Sequence, residues 1–398
     1  MILLPEKNLS KSRCVGNGRD LGEGSINQSD GWSVAGDTTL SLLLQGGAAE
    51  ARAPEGPEVH WSWKRAGSSP LLARAFHSVN VVGDKLVVYG GTKSADLREG
   101  PLGEAVVLAP SLVVEGVVRG GPARSHHGTA VLQGRWLLLV GGWDGRRRLT
   151  DLHAIELGSA EPGTWRALQQ EAGTLSPVGL SGHTVTQLTE RRLWVVGREG
   201  GVRTQRRFAS IFQLQVDIQR GRYRYEEQTS RVASRSGHSA SLCRRPGRVG
   251  GTVQLLLFGG RNSQGFEVAG VWNEGSVQAQ PPCAPGLVAR LSSLISEGVV
   301  TPGTPTSRRH HAAVQVGPFV VLHGGECFNK AADNICGDLY IYDTRPSAGR
   351  WYQFPASGVE LRRVGHQLVV LGEQLYVIGG LGPDGKHCPP DIYTLAIH

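Results

Sequence analysis

Several things are missing from this 398-residue chain. No block of lysine and arginine and no known RNA or DNA motif occurs, so nucleic-acid binding is not expected. No apolar run approaches 18 residues, so no membrane-spanning helix is expected. No pair of cysteines forms CxxC, and the nine-residue step from Cys327 to Cys336 fits no usual zinc spacing. Runs of Ala, Glu, Lys and Leu that favour helix are rare, and methionine occurs once. Residues 1–5 are too short for the apolar part of a secretory signal, because Glu6 and Lys7 follow at once. The six cysteines are therefore read as reduced thiols of an intracellular protein, cytoplasmic or nuclear.

Glycine is abundant, with 56 residues, roughly twice its usual ~7% share. Short apolar runs between glycine-rich turns point to an all-β chain. The formal charge is +8, and a basic surface favours acidic partners.

One pattern recurs six times: a histidine, an apolar strand, a turn, and a second apolar strand closing on Gly-Gly. The copies are AFHSVNVVGDKLVVYGG (75–91), HHGTAVLQGRWLLLVGG (126–142), GHTVTQLTERRLWVVGR (182–198), GHSASLC…VQLLLFGG (237–260), HHAAVQVGPFVVLHGG (310–325) and GHQLVVLGEQLYVIGG (365–380). In five copies the first glycine of the closing pair lies 13 or 14 residues after the histidine; blade four has an insertion instead. The second strands are continuously apolar, which suits burial on both faces. Gly-Gly lets the backbone turn where a Cβ would clash.

A third strand follows most copies: DLHAIEL (151–157), SIFQLQVD (210–217), VAGVW (268–272), DLYIYD (338–343) and DIYTLAI (391–397). A fourth, with an aromatic residue, follows some: TWRAL (164–168), YRYEEQ (223–228) and RWYQF (350–354). Four strands at this period describe the blade of a propeller, and six copies give six blades. The last copy ends at His398 without a fourth strand, while VHWSWKR (59–65) stands before the first histidine. That segment is predicted to complete blade six and close the ring, which removes open sheet edges. The propeller is placed at 56–398 and an irregular segment at 1–55.

Gly-Gly, the downstream tyrosine of DLYIYD, and Trp165 or Trp351 resemble the kelch repeat over about residues 59–398. Departures are Gly197-Arg198 in blade three, the insertion in blade four, and the absence there of the usual Tyr and Trp. The resemblance implies a non-catalytic protein-interaction module acting as a monomeric scaffold, with no cofactor. It makes an A-type cyclin a candidate partner. The alternative is a substrate receptor of a cullin-type ubiquitin ligase that reads protein termini.

The histidines recur once per blade, so a role in the repeat is expected for most. The doublets His126-His127 and His310-His311 fall in different blades with no carboxylate cluster beside them, and no metal is expected. Arginine also recurs, three residues before the histidine, as Arg74, Arg124, Arg235, Arg308 and Arg363, with Leu180 in blade three. In kelch domains this position opens toward the mouth of the central channel. The residues after Gly-Gly share that face: Thr92, Trp143, Glu199, Arg261, Glu326 and Leu381.

Five arginines there would form a cationic funnel for an acidic peptide or a chain terminus. Pairing with neighbouring carboxylates or strand-end carbonyls is the competing expectation. The binding set is accordingly Arg74, Arg124, His127, Trp143, Arg235, Arg261, Arg308, His311, Glu326 and Arg363. Glu199 and Glu326 sit among arginines and are not read as catalytic. Arg146–Arg148, Arg203, Arg206 and Arg207 are expected to be solvated.

The insertion at 281–307 breaks the strand rhythm. Leu287, Leu291, Leu294 and Ile295 share one helical face. A short helix lying on the propeller is expected; a helix that docks elongin is the sharper alternative.

Overall fold

The computed structural model describes residues 61–158, 163–200, 206–244, 252–261, 265–278, 283–327, 335–356 and 360–398. The expectations for residues 1–55, Cys14 and Arg203 lie outside these residues. Six blades, antiparallel except where Gln169–Gln170 runs parallel to Arg222–Gln228, form a ring, and the innermost strand of each touches the innermost strands of its two neighbours. Apolar clusters lie at all six junctions between neighbouring blades, two each at the four–five and six–one junctions, so the core is a set of seams rather than a single centre.

Ring closure follows the sequence. Trp61–Ser68 pairs antiparallel with Asp391–Ile397, Trp61 opposite Ile397 and Trp63 opposite Leu395. Both tryptophans are buried. Trp61 meets Phe354 edge-on at 5.0 Å, and Trp63 meets His323 at 5.1 Å. The first and last strands are thus locked in one sheet, at the seam with blade five.

The blades differ in width. Blades one, two and six have four strands. Blade one gains its outer pair from Ala105–Leu108 and Val114–Val118, which carry no repeat signature. Blades three and five have five, because Gln169–Gln170 and Thr301–Pro302 add to their outer edges. Blade four has three among the described residues, ending at Phe266–Asn273.

The insertion forms a helix, Pro285–Ser296. Leu287, Leu291 and Leu294 are buried against Val316, Phe319, Val370 and Leu375, so the helix spans blades five and six. Glu373, in a turn of blade six, accepts from the Leu287 N–H at 2.8 Å and satisfies a donor of the first turn. The leucines that would form an elongin-docking face are therefore covered by the chain's own core.

Candidate functional site

The repeat residues meet around the central channel. The first glycine of each Gly-Gly pair leaves no room for a Cβ. An added Cβ at Gly90, Gly259, Gly324 or Gly379 would stand 2.5 or 2.6 Å from the carbonyl oxygen of the next blade's arginine. The second glycine donates its N–H to that same carbonyl: Gly91 to Arg124 at 2.9 Å, Gly260 to Arg308 at 2.8 Å, Gly325 to Arg363 at 2.8 Å and Gly380 to Arg74 at 2.8 Å. Gly-Gly is thus the seam between successive blades.

A second circle lies beside it. The residue just before each repeat histidine is Phe76, His126, Gly182, Gly237, His310 or Gly365, and all six have left-handed φ between 52 and 68°. Each N–H donates to the carbonyl of its counterpart in the preceding blade: His126 to Phe76, Gly182 to His126, Gly237 to Gly182, His310 to Gly237, Gly365 to His310 and Phe76 to Gly365, over 2.7–3.1 Å. The belt closes on itself. The Phe76 and His126 rings stack at 4.1 Å, and His310 meets both edge-on at 5.2 and 5.6 Å. These three rings narrow the channel to a cavity of about 120 Å³.

The repeat histidines are structural. The ring of each histidine contacts the preceding blade. His127 Nε2 lies 3.0 Å from Ser78 Oγ, His238 Nε2 3.0 Å from Thr184 Oγ1, and His311 Nε2 2.9 Å from Ser239 Oγ. Burial, reinforced by Arg74 and Arg308 respectively, pushes His77 and His311 down to about 3. Burial likewise holds His183 and His323 at about 4 and His127, His238 and His366 well below the usual range. These rings are neutral at physiological pH. No cluster of three or more metal-ligating side chains occurs among the described residues.

The arginines correct the expectation of an open funnel. Arg74, Arg124, Arg235 and Arg308 are at most 1% exposed, and Arg363 is buried too. Their forks turn into the blade. Arg74, Arg124, Arg235 and Arg308 donate to the carbonyls of Gly90, Gly141, Gly259 and Gly324. The same four pair with Glu104, Asp151, Glu267 and Asp338 at 3.2, 3.3, 2.6 and 2.6 Å. Arg363 donates to the Arg362 carbonyl and lies 6.0 Å from the Tyr393 ring. Carbonyls at the strand end and a carboxylate at the third strand already occupy the guanidinium. Blade three, which has Leu180, carries Arg198 in place of the second glycine. That buried side chain donates to the carbonyls of Val178 and Gly179.

The accessible part of the mouth is the ring of bridges beyond Gly-Gly. Thr92, Trp143, Glu199, Arg261 and Leu381 pair as isolated bridges with Ala75, Ser125, Ser181, Ser236 and Val364, and Glu326 pairs with Arg309 in a short ribbon. Trp143, Arg261 and Glu326 are half-buried, while His127 and His311 sit deeper, in the channel wall.

Arg148, expected in solvent, is only 12% exposed. It lies 5.5 Å from the Trp143 ring centre and 3.2 Å from Glu199. Glu199 also accepts from Ser236 Oγ at 3.0 Å, and Arg309 pairs with Glu326 at 2.6 Å. Neither Arg148 nor Arg309 belongs to a position that recurs as arginine, so the repeat pattern gave no signal for them.

Cys327 and Cys336 form a disulfide in the blade-five loop at this mouth, which corrects the reading of all six cysteines as thiols. The Glu326–Ile335 bridge folds the loop back and places the two side by side. Cys283 and Cys388 are free.

The chain is similar to kelch domain-containing protein 9 of Homo sapiens and of Mus musculus. Each is 44% identical over 337 residues, which cover 84% of this chain and 95% of the relative. An F-box/kelch-repeat protein of Arabidopsis thaliana is 26% identical over 71% of the chain and 57% of its own length. No protein-family model matches the chain.

Proposed function

The chain belongs to the family of kelch domain-containing protein 9, and from that premise we propose that it is a non-catalytic interaction scaffold whose protein partner docks on the channel mouth. The observation that carries this is the accessible ring itself. Trp143 offers a flat apolar surface, and Arg148–Glu199 and Arg309–Glu326 are ion pairs at its rim. An acidic side chain of a partner would exchange with Glu199 or Glu326 for these guanidinium groups. The five arginines that stand three residues before the repeat histidines serve the fold and do not touch the partner. An A-type cyclin is the first partner to test.

The test compares tagged protein with a Trp143→Ala/Arg261→Glu variant, both purified from cells after thermal melting has established that they are equally folded. Loss of a partner from the variant supports the mouth. Identical partners in both samples would move the site elsewhere. Elongin and a cullin among the retained proteins would replace the scaffold reading with a ligase receptor.

A further inference from the structure

Among the described residues blade four stops one strand short. None of the eight residues of its last strand, Phe266–Asn273, is buried. The third strand of every other blade buries at least two. Its flanking blades have five strands each, so at ~4.8 Å per strand this edge is recessed between two wider neighbours.

The recess has a defined chemistry. Val268 and Val271 are 45% and 53% exposed. In register they oppose Leu256 and Gln254, on the side where Leu256 packs against Val320 and Tyr342 of blade five. On the other side Trp272 meets Trp194 of blade three at 4.8 Å. Gln254 Oε1 is buried without a hydrogen-bond partner. The strand's only charge, Glu267, is already paired with Arg235. Neither lysine nor proline guards the edge; a bulge at Ala269 is its one irregularity.

We propose that this edge takes up an extended, uncharged segment of a partner protein as the fourth strand of blade four. Outward N–H and C=O groups along a strand edge are met in register only by another strand. Apolar β-branched side chains on one face would cover Val268 and Val271, and a hydroxyl or amide there would donate to Gln254. The bulge limits pairing to about five residues. A second copy of this chain does not fit, because its own edge is equally recessed and two recesses cannot meet. The surface lies on the outer rim, so the proposal stands independently of the channel mouth.

The test is amide hydrogen exchange on the full chain, alone and with a synthetic peptide of alternating valine and threonine. Expected are fast-exchanging outward amides in Phe266–Asn273 and a roughly tenfold slowing when peptide is added. A Val268→Lys/Val271→Lys variant should lose the slowing while melting like the parent. Amides already protected in the dilute isolated chain would mean the chain covers its own edge. Protection that grows with protein concentration would mean a second copy binds there. Either result, or no slowing at millimolar peptide, overturns the proposal.

Discussion

Blades four and five are neighbours built on the same inner plan with different outer halves. In blade five the third strand, Leu339–Asp343, is wholly buried, and Arg350–Gln353 and Thr301–Pro302 lie outside it. In blade four no strand among the described residues lies outside Phe266–Asn273. Yet the inner halves match. Arg235 and Arg308 each reach a glycine carbonyl and a carboxylate, and Gly237 and His310 are successive links of the belt. Closure of the ring demands the inner half of every blade, whereas an outer strand can be dispensed with if a neighbour covers part of the loss. Blade five does so: Phe266 stacks on Tyr342 at 4.9 Å, and Trp351 meets Phe258 at 5.3 Å.

Acid should produce the largest effect, because it acts on the shared inner half of all blades at once. An unfolded histidine titrates near 6.5, whereas His77 and His311 are held at about 3 when folded. Between those values the unfolded chain binds protons that the native chain does not. Stability is therefore full above pH 6.5 and falls as pH drops toward 3, as denaturant midpoints measured across that range will show. Trp63→Ala pushes blade six toward the condition of blade four, and should cost about 3–5 kcal/mol in chemical denaturation.

Arg235→Ala and Arg308→Ala should each cost about 3 kcal/mol, the low end for buried pairs because both carboxylates keep some solvent contact. A near-neutral Arg235→Ala would break the claim that the two blades share one inner plan. Gly237→Ala forces a left-handed side chain against the His310 ring, with its Cβ 2.8 Å from the nearest ring carbon, and should cost about 1–3 kcal/mol. Val271→Ala, on the open edge, should stay within about 0.5 kcal/mol.

The fold was legible because its signals are local. Histidine, turn and Gly-Gly mark the inner strands, and the tryptophans of VHWSWKR mark the closing strand. The outer pair of blade one was not, because AVVL and VEGVV carry no mark beyond apolar character. The arginines were visible as a repeat but not as to role. A guanidinium's partners decide whether it is free, and Glu104, Asp151, Glu267 and Asp338 stand some thirty residues further along the chain, as a mixture of Glu and Asp. The belt left a readable trace: glycine precedes the histidine in three blades, at a position where all six need positive φ. In the other three, Phe76 and two histidines obscured it, and the histidines looked like doublets. Arg148 joins the mouth only because the strand Arg148–Glu156 starts beside Glu199.

The belt has a consequence for traffic through the molecule. Its six links run head to tail with no free end, and three rings narrow the opening they encircle. The axis is thus a constriction rather than a wide passage. Anything entering from the loop side meets main chain and aromatic rings at the narrowest point.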